Sequence, residues 1–319
     1  MIGFIRKTAA VAALAVASMA FAQAVQVDKE LPDYKPAQGI SGSIKSVGSD
    51  TLNNLMTLWA EEFAKHYPNV KIEIEGKGSA TAPPALIQGT AQLGPMSRPM
   101  KGSEIDEFKA KFGYAPTPIR TAVDALAVFV HKDNPIESMT MDQVRAVFSV
   151  EGKDHTWGDL GVKGEWADKP VSLYGRNSAS GTYGFFKEHA LGKKDYKASV
   201  KEQPGSSAVV QGVAKDKYAM GYSGIGYATA DVKAVPLAAK TGEKAYTATA
   251  ENAYAGDFPL SRFLYVYING DPQKGASPIV SEFSKMILSQ QGQQVVVKDG
   301  YFPVTKALAD EDLKAAKIK

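Results

Sequence analysis

The chain has 319 residues, of which 44% are hydrophobic and 22% are charged, with a formal net charge of +3 and no cysteine. These values are typical of a soluble globular protein with about two domains. The lack of cysteine excludes disulfides, a thiolate nucleophile, thiolate metal ligands and a lipid anchor on cysteine. The small net charge argues against a nucleic acid partner, so any anion site must come from a local group of residues.

The first 22 residues have the pattern of a secretory signal peptide. Arg6 and Lys7 precede an apolar run at residues 9–17, and Ala20-Phe21-Ala22 matches a cleavage site of small residues. The apolar run is too short to span a membrane. We therefore predict cleavage near Ala22, with Ala24 as a second option, and export of the mature chain to the periplasm, without stable membrane insertion.

Hydroxyl-rich turns follow the first three predicted strands. The apolar pattern predicts these strands at residues 43–47, 70–74 and 91–96. The turns after them are Gly48-Ser49-Asp50-Thr51, Gly76-Lys77-Gly78-Ser79-Ala80-Thr81 and Ser97-Arg98. A helix is predicted after each turn, so each turn lies where a strand passes into a helix.

A long apolar segment, Ile119–Val130, is predicted to be a buried strand of the parallel type. Asp124 lies inside it. A carboxylate buried among apolar residues is costly unless it has a partner. Asp124 is therefore a candidate functional residue, and the alternative is a structural carboxylate that pairs with Arg98 or Arg120.

The turn Gly175–Thr182 connects a predicted strand at residues 171–174 to a predicted helix at residues 183–191. The first N–H groups of a helix have no partner within the helix, and the helix dipole adds positive charge there. Arg176 adds a planar fork of donors that suits an oxyanion. The turn thus predicts an anion site. The alternative is an ordinary capped turn, with Ser180 or Thr182 as N-cap.

The rest of the chain continues the alternation of strands and helices. Strands are predicted at residues 219–222 and 263–268, and a helix is predicted from Ser277 to Gly292. Alternation of this kind indicates an α/β fold with parallel sheets. Ligands of such folds bind beyond the carboxyl ends of the strands, where the hydroxyl-rich turns lie.

The turns, in the order in which they occur, resemble those of the phosphate-binding proteins of bacterial phosphate ABC importers, from the class II periplasmic binding-protein superfamily. The resemblance runs from Gly42 to Val304. It implies a two-lobed α/β protein, each lobe a mostly parallel sheet flanked by helices. Two crossing strands, Ile119–Val130 and the segment after Gly221, would join the lobes. Lobe I would comprise residues 41–127 and 230–319, lobe II residues 128–229, and residues 23–40 a flexible lead-in.

The resemblance also implies a site for inorganic phosphate in the cleft, a monomer, and membrane permease subunits as partners, with no cofactor and no metal. The expected phosphate-binding residues are Thr51, Leu52 through its N–H, Ser79, Ser97, Arg98, Asp124, Arg176, Ser180, Gly181 and Thr182. Many family members have Ser-Asp where this chain has Ser97-Arg98. That aspartate accepts the proton of hydrogen phosphate, which an arginine cannot do. Asp124 is the first candidate to replace it, and Asp50 is the second.

Two alternative functions stay open. A binding protein for another tetrahedral oxyanion, such as sulfate, would use similar donors. A carboxylate in the cleft favours phosphate, because sulfate carries no proton at neutral pH and would be repelled.

A phosphate-ester hydrolase is the other alternative. The four histidines are scattered, and the sequence has no Gly-x-Ser-x-Gly motif, Walker motif or metal-ligand spacing.

Overall fold

A computed structural model describes residues 25–319. The predicted signal peptide lies outside these residues. The strands are β1 (Gly42–Val47), β2 (Val70–Glu75), β3 (Leu93–Met96), β4 (Thr117–Ala125), β5 (Ala127–His131), β6 (Met139–Thr140), β7 (Ser172–Arg176), β8 (Lys201–Gln203), β9 (Ala219–Ser223), β10 (Val232–Ala234), β11 (Leu237–Ala238) and β12 (Ser261–Ile268). The α-helices are α1 (Asn53–His66), α2 (Ala82–Gln88), α3 (Gly102–Phe112), α4 (Met141–Phe148), α5 (Gly181–His189), α6 (Ser206–Lys215), α7 (Ala250–Ala255), α8 (Pro278–Ile287), α9 (Gln290–Lys298) and α10 (Lys306–Ala315).

The strands form two five-stranded sheets, one in each lobe, which confirms the predicted two-lobed α/β fold. The first sheet has the order β2-β1-β3-β12-β4 and the second has the order β10-β5-β9-β7-β8. β11 and β6 form a small parallel pair. Both large sheets are mixed rather than mostly parallel. β12 runs antiparallel to β3 and β4, and β5 runs antiparallel to β9 and β10.

The antiparallel strands are those nearest the crossing between the lobes. β4 belongs to the first sheet and β5 to the second, and only Leu126 separates them. The Leu126 N–H donates to the Leu260 carbonyl at 3.0 Å. The outgoing and returning segments therefore lie side by side. The first predicted crossing strand is confirmed in position, but it pairs antiparallel with β12 because the chain returns beside the place where it left.

The return crossing occurs later in the chain than predicted. β10 and β11 follow residue 230, yet β10 pairs with β5 and β11 pairs with β6. The chain rejoins the first sheet only at β12. The predicted start of the second part of lobe I at residue 230 is therefore too early. The short, weakly apolar strands of this region gave no signal of which sheet they would join.

One apolar face of α1 forms the core of lobe I together with α8. Its buried residues are Leu55, Met56, Trp59 and Phe63, and Leu52 is buried directly before the helix. The Phe63 ring meets the Phe283 ring edge-on at 5.4 Å. The lobe II core is also aromatic, and in it the Phe186 ring stacks on the Tyr222 ring at 4.0 Å.

The N-terminal segment from Val25 to Ile40 has no helix or strand, but it is packed against lobe I instead of forming a flexible lead-in. Leu31 and Tyr34 are buried in the lobe I core. The Tyr34 hydroxyl donates to Glu282 at 2.9 Å. These apolar and polar contacts attach the segment to α8, and periodicity could not reveal them because the segment has none.

The predicted helix from Ser277 to Gly292 is two helices. α8 ends at Ile287 and α9 begins at Gln290. The Ser289 hydroxyl accepts the Gly292 N–H at 3.3 Å and caps α9. Gly292 is needed inside α9 because a side chain there would collide with the Met286 carbonyl.

Between residues 25 and 319, no helix is both long enough and apolar enough to cross a membrane.

Candidate functional site

Four buried hydroxyls meet between the lobes, and we call them the hydroxyl cluster: Thr51, Ser79 and Ser97 of lobe I and Thr182 of lobe II. Each residue is at most 1% exposed. The Thr182 Oγ1 lies 2.9 Å from the Thr51 Oγ1 and 3.4 Å from the Ser97 Oγ. The Ser79 Oγ accepts the Ser97 N–H at 3.0 Å. Turns from three strands of lobe I thus converge on one turn of lobe II, as the sequence predicts.

The N-terminus of α5 faces this cluster. Ser180 is the N-cap, and its Oγ accepts the Thr182 N–H at 3.1 Å. The capped turn and the anion site are therefore not exclusive alternatives. A Cβ at Gly181 would collide with the Ser79 Oγ and would lie 2.7 Å from the Ser97 Oγ. Only glycine lets the helix end come this close to the hydroxyls of the other lobe.

Arg176 is at the end of β7 and is 1% exposed. Its Nη1 donates to the Ser206 Oγ at 2.7 Å, and its Nη2 lies 3.2 Å from the Asp50 Oδ2 of lobe I. Its backbone N–H donates to the Tyr222 hydroxyl at 3.1 Å. Within residues 25–319, its Nε has no hydrogen-bond partner. Burial lowers the pKa of the Arg176 guanidinium, and the nearby Asp50 opposes that shift.

Asp50 reaches across the cleft from the turn that carries Thr51. Its Oδ2 accepts the Ser206 N–H at 2.7 Å, at the first residue of α6. The Tyr227 hydroxyl donates to the Asp50 carbonyl at 3.0 Å. A carboxylate is favoured at a helix N-terminus. Asp50 therefore binds both Arg176 and the start of α6 when the lobes are in contact.

Asp124 is fully buried and paired, but neither predicted partner is correct. Its Oδ2 accepts the Nε and Nη2 of Arg262 at 3.0 and 2.8 Å, and its Oδ1 accepts the Ile225 N–H at 2.9 Å. Arg262 faces Asp124 across the β12–β4 ladder. The sequence signal was a single arginine directly before the apolar strand at residues 263–268. Only the strand register could assign it to Asp124.

Arg98 lies outside this group of contacts. Its Nη1 and Nη2 donate to the two carboxylate oxygens of Glu104 at 2.8 and 2.7 Å, and its Nη1 also donates to the Pro99 carbonyl. Arg98 does approach lobe II, since its Cδ would lie 3.5 Å from a Cβ at Gly184. Its donor fork, however, is occupied by Glu104. Of the other predicted residues, Leu52 follows Thr51 and buries its side chain in the lobe I core.

A further carboxylate, Asp299, is buried at the lobe contact and was not predicted. Asp299 accepts a short hydrogen bond from the Asn54 Nδ2. A Cβ at Gly226 of lobe II would lie 2.6 Å from the Asp299 carbonyl. Burial raises the pKa of Asp299 to about 6, and the Asn54 bond opposes part of that rise.

Among residues 25–319, no three His, Asp or Glu side chains are grouped as metal ligands.

Two α/β lobes, joined by paired crossing segments and meeting at a buried set of hydroxyls, arginines and a helix N-terminus, define a two-lobed binding protein of the periplasmic type. The model of the PBP superfamily domain matches residues 34–291. The phosphate-binding protein PstS of Pseudomonas aeruginosa is 56% identical over 294 residues, which cover 90% of this chain and 91% of that protein. The PstS of Staphylococcus epidermidis is 30% identical over 258 residues, covering 80% of this chain and 77% of that protein. The chain therefore belongs to the PstS phosphate-binding protein family.

A solved structure has the same architecture. It is a chain from Clostridium perfringens, described as a candidate phosphate ABC transporter substrate-binding protein and solved with bound phosphate. It superposes with a TM-score of 0.71 at 25% identity, covering 82% of this chain and 100% of that chain. The family resemblance and the two-lobed fold stated from the sequence are thus confirmed.

Proposed function

We propose that this protein binds one inorganic phosphate between its lobes and delivers it to the membrane subunits of a phosphate ABC importer. The observation that carries the proposal is the meeting of the hydroxyl cluster and the α5 N-terminus at one buried place, with Arg176 paired to Asp50 directly before Thr51. All of these groups are hydrogen-bond donors to an oxyanion. They come from both lobes, so a bound anion would hold the lobes together.

The predicted residues have distinct roles in this proposal. The hydroxyls of Thr51, Ser79, Ser97 and Thr182 donate to phosphate oxygens. The backbone N–H groups of Leu52 and Gly181 add two more donors, and Ser180 keeps the α5 turn in place. Arg176 supplies the positive charge, and its Nε is a buried donor available for a further bond. Arg98 serves the contact between the lobes rather than the anion.

The charges around the hydroxyl cluster support selection of a protonated anion. Two arginines, Arg176 and Arg262, are each paired with an aspartate, Asp50 and Asp124. The formal charges of these four groups cancel. A fully deprotonated anion would therefore meet two carboxylates without an excess of positive charge. Hydrogen phosphate can instead donate its proton to a carboxylate, and we assign that role to Asp124 first and to Asp50 second.

The remaining parts of the proposal concern location and partners. The predicted signal peptide supports export to the periplasm and cleavage near Ala22. The names of the relatives describe binding proteins for phosphate, and we propose no catalytic role. We propose that the protein acts as a monomer and meets its permease subunits at the membrane surface.

Isothermal titration calorimetry of the mature protein with phosphate, arsenate and sulfate tests the function. We expect one phosphate per chain, comparable arsenate binding and much weaker sulfate binding. Small-angle X-ray scattering with and without phosphate should show compaction of the protein. Sulfate binding without phosphate binding would instead assign the protein to the other class of oxyanion receptors.

A further inference from the structure

Arg262 was not expected at the hydroxyl cluster from the sequence, yet its guanidinium is bound to two residues of the cluster, Ser97 and Thr182. Its side chain is 2% exposed. Its Nε and Nη2 donate to Asp124, its Nη1 donates to the Ser97 carbonyl at 2.8 Å, and its Nη2 also donates to the Thr182 Oγ1 at 2.9 Å. The guanidinium carbon lies 5.2 Å from the centre of the Phe185 ring. Arg262 thus connects β4, the turn after β3 and the start of α5.

The bond to Thr182 limits where a hydroxyl proton can point. One lone pair of the Thr182 Oγ1 accepts from Arg262, so the proton of this hydroxyl points away from the guanidinium. A hydroxyl that accepts a charge-assisted bond is also a stronger donor. The hydroxyl oxygens within reach of that proton are the Thr51 Oγ1 at 2.9 Å and the Ser97 Oγ at 3.4 Å, and both belong to the hydroxyl cluster.

The bonds to Asp124 fix the position of a carboxylate. The Oδ2 receives two N–H groups of Arg262, and the Oδ1 receives one N–H from Ile225. A carboxylate oxygen has two acceptor sites, so the Oδ1 keeps one of them. The guanidinium balances the negative charge that would otherwise be buried alone. An acceptor held in one geometry is the group that distinguishes a protonated oxyanion from an unprotonated one.

On the basis of the phosphate function proposed above, we infer that Arg262 is a positioning residue that sets the anion selectivity of the site. It acts through Asp124 and Thr182 rather than as the main anion-binding charge, which Arg176 supplies. Lysine keeps the charge but cannot reproduce the fork that reaches Asp124, Ser97 and Thr182 together.

Calorimetric titration of Arg262→Lys with phosphate and sulfate tests the inference. We expect the affinity for phosphate to fall by at least about tenfold, which corresponds to the loss of one charge-assisted hydrogen bond. We also expect the ratio of phosphate affinity to sulfate affinity to become smaller. The matched control is Arg120→Lys. Arg120 is also on the β4–β12 ladder, donates to Asp312 and lies over the Phe263 ring, but it makes no contact with the hydroxyl cluster. Both affinities should be unchanged in the control.

The double variant Asp124→Asn/Arg262→Gln provides a second test that does not leave a buried charge unpaired. It should fold even where a single replacement does not, and it should bind phosphate and sulfate with similar affinities. Equal losses for the two anions in Arg262→Lys, or a double variant that still prefers phosphate, would overturn the inference while leaving the phosphate function intact. Failure of the wild-type protein to bind phosphate would overturn both.

Discussion

Two aspartate–arginine pairs lie beside the hydroxyl cluster, and they differ in how they relate to the lobes. The Asp50–Arg176 pair joins lobe I to lobe II, and its carboxylate also binds the start of α6. The Asp124–Arg262 pair lies on adjacent strands of lobe I beside the crossing segments. Separation of the lobes would break the first pair and leave the second intact. We therefore propose that the first pair contributes to closure of the lobes, whereas the second holds a balanced pair of charges within lobe I.

Replacing Arg176 should have the largest effect. In Arg176→Ala, phosphate binding should weaken by at least about 2 kcal/mol, since hydrogen bonds to charged groups contribute roughly 1.5–3 kcal/mol each. The variant also leaves Asp50 without its cation. Calorimetry measures the loss, and Arg145→Ala is the control because Arg145 is 40% exposed and pairs with Asp142 on α4. Wild-type affinity in Arg176→Ala would make Arg176 a structural residue.

Replacing Asp124 should change selectivity rather than closure. Asp124→Asn should weaken phosphate binding by about 2 kcal/mol. It should also reduce the margin, which is the difference in binding free energy between phosphate and sulfate, because an amide can donate to sulfate where a carboxylate repels it. Competition of sulfate against labelled phosphate measures the margin. If the margin is retained, the proton acceptor is another carboxylate, and Asp50 is the next to test.

Asp299 shows what happens to a buried carboxylate at the lobe contact that has no arginine. Its pKa is raised to about 6, so the unfolded chain releases this proton more easily than the folded protein does. The contribution of the protonated Asp299 carboxyl to the free energy of unfolding is fully present below about pH 4. This contribution is lost as the pH rises through about 6. Asp299→Asn should therefore stabilise the protein at pH 7 by about 1–2 kcal/mol, after allowance for partial solvent screening.

Urea unfolding at two pH values measures this effect. The gain from Asp299→Asn should be present at pH 7 and nearly absent at pH 4, where the wild-type carboxyl is protonated. Asparagine keeps the acceptor oxygen for Asn54, which separates the effect of charge from the loss of a hydrogen bond. An equal gain at both pH values would show that the carboxyl does not titrate in this range.

Replacing Asp50 should have the smallest effect on binding, about 1 kcal/mol, because its side chain is 22% exposed and water can partly replace its partners. Asp50→Asn should instead shift the ligand-free protein toward an open form. Scattering should give a larger radius of gyration without phosphate and a wild-type value when phosphate is saturating. A variant that matches the wild type in both states would remove Asp50 from the closure mechanism.

The sequence predicted which turns meet between the lobes better than it predicted the pairs of charges beside them. Thr51, Ser79, Ser97 and Thr182 were predictable because each follows a strand at the edge where ligands bind. The partner of Asp124 was not predictable, because Arg262 is brought to it by strand register between distant segments. Arg98 was assigned to the site by its neighbour Ser97, yet a carboxylate six positions later on α3 binds its donor fork.

The close contact at Gly181 also determines how near the two lobes can come to each other. The α5 N-terminus comes so near Ser79 and Ser97 that even one added carbon atom at residue 181 would collide with them. Any side chain at residue 181 would therefore hold the two lobes apart, whether or not an anion lies between them. We expect Gly181→Ala to weaken phosphate binding, and calorimetric titration of the variant beside the wild-type protein would measure the loss. One glycine thus sets how near the two lobes can come to each other.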